Sequence, residues 1–281
     1  MVESAGNRRF SALVLNLAVA IGGIITVLPL IWMVSASFKR LSEIYRFPPT
    51  LIPKTFTIAN YERLLRDWPF LQWYWNSFIV AVLVTLATLL FSSLAGFGFA
   101  KYRFRGSRTL FMLMLGSTMI PFELILVPLF ILMSRLGWTN SYASLIIPFM
   151  APAIGIFLVR QYISTLPTEL VEAARIDGAS ELNIYWRIIL PLARPALGAL
   201  AVLTFLGSWN SFLWPLTVLR DRANMTFPVG LANMVGGVTA GSEPPIGATM
   251  AASTLVTVPV IIVFLLVQRH YVEGLTAASI K

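Results

Sequence analysis

Six apolar runs, each close to the length of a membrane crossing, constrain this chain more than any other feature. They cover approximately residues 13 to 34, 77 to 100, 109 to 133, 142 to 163, 196 to 219 and 248 to 268. A hydrocarbon layer about 30 Å thick is crossed by roughly 20 residues rising about 1.5 Å each, so every run can form one helix. With 57% hydrophobic and only 12% charged residues, gathered in blocks, the mean hydropathy reaches +0.79, which is not the pattern of a water-soluble domain. The expected fold is an all-α integral membrane protein, one transmembrane domain over 1–281 with six transmembrane helices. An even number of spans places both termini on the same side.

The first run follows Arg8 and Arg9, as in a signal peptide. It exceeds the roughly 7 to 15 apolar residues of a cleavable one and is expected to be retained. The absence of cysteine excludes disulfides, iron–sulfur clusters and thiol catalysis from this chain's own residues. A formal charge of +9 in a multispanning chain belongs to loops facing the cytoplasm and its anionic lipid, not to a nucleic-acid surface. The loop KYRFRGSR packs Lys101, Arg103, Arg105 and Arg108 together and marks a cytoplasmic turn, hence cytoplasmic termini. Against this, the 38–76 connection carries Lys39, Arg40, Arg46, Lys54, Arg63 and Arg66 at lower density.

Within that connection, the three prolines of FPPTLIPK exclude a helix. Trp68, Trp73, Tyr74 and Trp75 precede the second span, where aromatic rings settle at the headgroup level; stacking on a sugar is the alternative. Ser92, Gly96 and Ala100, spaced by four, form a strip that admits a close neighbouring helix. Pro121, Pro128, Pro148 and Pro152 predict kinks whose freed carbonyls need partners in the bundle. The 220–247 connection, rich in Gly and Pro, is expected to be an irregular external loop.

Between the fourth and fifth runs lies a polar segment, EAARIDGASELNIYWRIILPLARP. Pro167 suits a first helical turn, and Gly178 can take the left-handed conformation that ends a helix. On that short helix Glu169, Glu172, Ala173 and Ile176 share one face, two carboxylates beside a small and an apolar side chain. Ser180 can cap a second helix whose apolar stripe is Leu182, Tyr185, Trp186 and Ile189, stopped by Pro191 and Pro195. Each charge would cost about 2.5 to 3.5 kcal/mol at the bilayer centre, so the pair lies at the surface. Two readings stand on these residues alone: a solvated hairpin joining two spans, or a docking face for a protein partner.

Glu172, Ala173, Ala174, Gly178, Ile188, Leu190 and Pro191 also match EAA, three residues, G, nine residues, I-x-L-P without a gap. This resembles the EAA loop of permease subunits in binding-protein-dependent ATP-binding-cassette importers. IDGAS, SWNSF, NSFIVAVLVTLATLLFSSLAGFGFAKYRFRG and QRHYVEGLTAASIK are similar to the carbohydrate branch, nearest to the maltose-type second permease; AASIK replaces the more usual AGAVK. The resemblance implies a type I importer transmembrane domain of MetI-like fold, with a permease core at 72–270 and a cytoplasmic EAA coupling loop at 165–194. Glu169, Glu172, Ala173, Ala174, Ile176, Asp177, Gly178, Ile188, Leu190 and Pro191 would then dock a cytoplasmic ATPase. The implied partners are a second similar permease, an ABC ATPase dimer and an extracytoplasmic solute-binding protein resting on 38–76 and 220–247. Membrane lipid and a transported sugar or polyol complete the set. No GxxxxGK[ST] phosphate loop occurs here, so ATP and Mg belong on the ATPase and this chain needs no cofactor. The implied location is a prokaryotic inner membrane.

Glu123 is the one carboxylate placed deep in a span; it borders the solute path or pairs locally near the Pro121 kink. Trp209, Asn210, Ser211 and Trp214 interrupt the fifth run, either facing a polyol or joining helices. His270 stands alone, without a second histidine for a metal site. An ion-coupled secondary transporter is the rival class, and several intramembrane charges would be expected of it. With one histidine and no cysteine, a membrane enzyme lacks its acid–base set.

Overall fold

The computed structural model describes residues 5–237 and 245–278, with side chains described from 13 to 265 apart from the gap. The side chain of His270 and the closing QRHYVEGLTAASIK side chains therefore lie outside the described residues. Every regular element among the described residues is helical. Three helices have continuous apolar spans, Leu13–Ser37, Phe70–Lys101 and Ile246–Leu265. Three further spans are bent pairs: Ser107–Ser117 with Phe122–Arg135 at 99°, Tyr142–Phe149 with Ala153–Thr165 at 41°, and Glu181–Leu192 with Arg194–Trp209 at 76°. Counting each pair once gives the expected six by length and composition, although the last pair takes in the second helix of the polar segment, which was expected at the surface and outside the fifth run.

The breaks follow from local chemistry. Pro121 and Pro152 sit immediately before Phe122–Arg135 and Ala153–Thr165, so they restart helices where mere kinks were expected. The fifth run, expected as one helix over 196–219, ends at Trp209 and resumes as Leu213–Val218. There Asn210 turns its side-chain amide back onto the Leu206 carbonyl at 2.9 Å, competing with continued helix. The coupling segment shows the converse. Its second helix runs past Pro191, expected to stop it, because a π-turn over Tyr185–Ile189 widens the hydrogen-bond spacing just before the residue without a donor.

The chain divides into two compact units. One holds residues 1–70 and 231–258. In it, FPPTLIPK is non-helical as expected, and the backbone N–H of Lys54 donates to Glu43 at 2.8 Å. Phe38 stacks on Phe56 at 4.7 Å, and the Asn60 amide bridges the carbonyls of Ser37 and Lys39 at 2.8 Å each. Lys39, fully buried, donates to the Thr50 carbonyl.

The other unit holds residues 71–230 and 259–281. Its small-residue strip is a helix crossing. A Cβ on Gly96 would stand 3.0 Å from the Arg160 backbone nitrogen and 3.1 Å from Val159, and one on Gly155 would stand 2.8 Å from Ser92 Oγ. The Phe70–Lys101 and Ala153–Thr165 helices thus meet almost backbone to backbone. Trp73, expected at the headgroup level, is buried, and its indole donates to the Arg222 carbonyl at 2.7 Å. Asn76 donates to the carbonyls of Ala223 and Met225 at 2.8 and 2.9 Å and accepts from Tyr142. The Asn140 side-chain carbonyl receives the N–H groups of Arg220 and Asp221. Residues 220–226 are therefore pinned down rather than loose, and 227–236 form a helix where an irregular loop was expected.

Candidate functional site

Thr168 precedes a helix over Glu169–Ile176, and Gly178 ends it at φ +80° with the Ala179 N–H returning to the Ala174 carbonyl at 2.9 Å. Ser180 then caps the next helix by accepting from the Asn183 N–H at 3.4 Å. Glu169, Glu172, Ala173 and Ile176 all face outward, and Ile176 is 87% exposed. An isoleucine so bare between carboxylates is a face that none of the described residues covers. Asp177 and Gly178 extend that exposed end.

The opposite face is committed inward. Val171 and Ala174 are buried with Phe97, Val159, Ile163, Ile184, Tyr185 and Ile189 in one core cluster, against which Ile188 and Leu190 also pack. Ala174, grouped by its position in EAA with the docking residues, points into this chain's own core instead. Its small size admits the helix to the bundle. The second helix's stripe splits similarly: Tyr185 and Ile189 are buried, whereas Leu182 and Trp186 are exposed. Pro191 is half-buried.

The segment is braced against the end of the Phe70–Lys101 helix. Arg175 forms a two-pronged contact with Glu181 at 2.7 and 3.3 Å, and Tyr102 donates to the same carboxylate. The Arg175 guanidinium lies 5.3 Å from the Tyr102 ring centre. Burial, then the bond to Glu181, pushes the Tyr102 hydroxyl above its ordinary value, so it stays a donor. Lys101 donates to the Leu166 carbonyl at 2.5 Å, and Ser93 and Tyr185 share a hydrogen bond at 2.7 Å. Sequence reasoning missed Lys101, Tyr102 and Ser93 as supports; the basic loop was the available signal and was read only for orientation.

A cavity of about 320 Å³ opens elsewhere in the same unit, bounded by Val80, Phe149, Leu200, Thr204, Ser211 and Trp214 among others. Of the five expected path residues, Ser211 and Trp214 line it. Trp214 is held there by its bond to the Ser144 carbonyl at 2.8 Å. Trp209 is buried and stacked on Phe205 at 5.9 Å, and exposed Asn210 turns back on its own helix. Glu123 does not reach the cavity: it is exposed in the first turn after the 99° break, not deep in a straight span. Thr226 also lines the cavity with a buried hydroxyl that has no hydrogen-bond partner among the described residues.

The family model for the inner membrane component of binding-protein-dependent transport systems matches residues 88–276. The arabinooligosaccharides transport system permease protein AraQ of Halalkalibacterium halodurans is 40% identical over 271 residues, 95% of each chain. The trehalose/maltose permease protein MalG of Thermococcus litoralis is 38% identical over 92% of each. The sn-glycerol-3-phosphate permease protein UgpE of Yersinia pseudotuberculosis is 34% identical over 96% of this chain and 97% of its own. Among solved structures, a bacterial ABC transporter that imports the acidic polysaccharide alginate superposes with a TM-score of 0.86 at 25% identity, covering 96% of this chain and 99% of that one. A match of this extent sets aside the ion-coupled alternative. The chain belongs to the inner membrane components of binding-protein-dependent transport systems, as a multi-pass permease subunit of MetI-like, type I ABC importer fold.

Proposed function

We propose that this chain forms half of a translocation channel for a sugar or related polar solute, and that residues 165–194 couple it to a separate ATPase. The observation that carries the reading is the bare Ile176 beside Glu172 and Ala173, on a helix braced from behind by Arg175, Glu181 and Tyr102. Glu169, Glu172, Ala173 and Ile176 seat in a groove of the ATPase, with Asp177 and the Gly178 turn at its edge. Burying a side chain such as Ile176 contributes about 1.5–3 kcal/mol, the scale of an interface anchor. Behind that face, Ala174, Ile188, Leu190 and Pro191 keep the segment seated in its own bundle, so that it moves as a lever.

ATP and Mg are held by the ATPase dimer. Its closure turns this subunit and a second, similar permease between inward- and outward-facing states, a rigid-body switch. The core is 72–270, both termini are cytoplasmic in a prokaryotic inner membrane, and an external solute-binding protein rests on 38–76 and 220–247. The sugar class is supported by the relatives named for arabinooligosaccharides and trehalose/maltose; the one named for glycerol-3-phosphate keeps other polar solutes within the class. Ser211, Trp214 and Thr226 at the cavity are the path candidates, and Glu123, Trp209 and Asn210 are not at it.

Because the chain has no cysteine, a single one at position 172 is its only thiol. It should crosslink to a cysteine on the ATPase groove, and Glu172→Lys should abolish ATP-driven uptake in proteoliposomes while the two permeases stay assembled. Undiminished uptake with Glu172→Lys, or a thiol that never captures the ATPase, overturns the proposal.

A further inference from the structure

A groove of about 390 Å³ lies where the coupling segment meets the Phe70–Lys101 helix, floored by Leu89, Leu90, Leu190 and Leu197 and edged by Trp186 and Arg194. Its hydroxyls, on Ser93 and Tyr185, bond to each other, so the floor offers no free polar group. Its rim differs. Trp186 is half-exposed and Arg194 is exposed, and exposed Arg187 follows Trp186 in the chain. Among the described residues neither arginine has a hydrogen-bond or ion-pair partner, and the segment's Glu181 is occupied by Arg175 and Tyr102.

The depth fits the edge of a bilayer. The Phe70–Lys101 helix has 32 residues, about 48 Å at 1.5 Å each, against a hydrocarbon layer of about 30 Å. Taking exposed Trp75 as one boundary, roughly 20 residues lead to about position 95 at the other. Leu89 and Leu90 then lie just inside the hydrocarbon, on the side of the coupling segment. An apolar groove between helices with an unpaired arginine and an indole at its mouth has the chemistry of a basic lipid pocket.

We propose that this groove binds an anionic phospholipid of the cytoplasmic leaflet, one acyl chain lying along Leu89, Leu90 and Leu197 and the phosphate on Arg194, with Arg187 adding to the field. The lipid would then touch the second helix of the coupling segment itself, so lipid charge bears on the seating of that lever. The proposal shares with the functional reading only the cytoplasmic placement of residues 165–194.

The test uses the complete importer in nanodiscs of phosphatidylcholine doped with acyl-brominated phosphatidylglycerol or, separately, acyl-brominated phosphatidylcholine. Quenching of the fluorescence that disappears in Trp186→Phe reports occupancy. At equal mole fraction the anionic lipid should be preferred about five-fold, the share of a single surface arginine. Arg194→Gln should bring the ratio to about one, Arg194→Lys should keep it, and Leu197→Phe, which fills the groove without removing charge or adding an indole, should lower quenching by both lipids. Equal quenching by both lipids in the unmodified importer means ordinary surrounding lipid and overturns the proposal. No quenching by either means a protein partner covers the groove and overturns it too. Loss of uptake with Glu172→Lys is read separately and leaves this outcome untouched.

Discussion

Gly230→Ala tests the packing that holds the 220–230 segment. A Cβ there would stand 2.2 and 2.3 Å from two ring carbons of Trp73 and 2.8 Å from a third. Carbon atoms rest about 3.5–4.0 Å apart, so the ring must retreat by more than about 1 Å. It has little room, being fully buried, and its indole N–H is committed to the Arg222 carbonyl at 2.7 Å. A retreat of that size breaks the bond and orphans a buried donor, costing about 1–3 kcal/mol. Overpacking adds about 1–3 kcal/mol more, for a sum of roughly 2–6 kcal/mol. The assay is a double-mutant cycle on apparent melting of the purified importer. Gly230→Ala should lower the melting temperature by several degrees in the unmodified protein and have little effect in a Trp73→Leu background, where the ring is gone. An equal loss in both backgrounds, or none in the first, would refute the reasoning.

Ile176→Ala should weaken ATPase association by about ten-fold or more, from the 1.5–3 kcal/mol of lost burial, yet leave permease melting unchanged; pull-down titration separates the two. Arg175→Ala removes a solvent-screened pair, so melting should hardly move, while hydrogen exchange over 169–180 speeds up and ATP-driven uptake falls. Gly178→Ala forces a left-handed alanine at φ +80°, costing about 1 kcal/mol with no steric neighbour, so Gly178→Asn should be milder in the same uptake assay. The Lys54 N–H, then the Thr50 hydroxyl, holds the Glu43 carboxyl below its ordinary value. A depressed folded value means stabilisation that is complete above the unfolded value and lost as pH falls through the folded one. Exchange protection over 41–55 should therefore drop on acidification, and Glu43→Gln should flatten that dependence.

The number of apolar runs, the turn at Gly178, the cap at Ser180 and the outward face of Glu169, Glu172, Ala173 and Ile176 were all legible in the sequence. Each follows from chain geometry over a few residues: the 3.6-residue period, the freedom of a glycine, a hydroxyl near a helix start. The helical period already separates Ala174 from the face of Ala173, but that Ala174 is consumed by this chain's own core needed the bundle. The same holds for Trp73, an interfacial anchor by position and a core residue in fact, since its indole meets a carbonyl 149 residues away. Gly230 looked like loop composition and proved to be the space that admits that ring. Periodicity and local hydrogen bonding determine which segments are helical and where they turn. Only close packing between distant segments decides which faces are consumed and which are left for lipid, solute and partner.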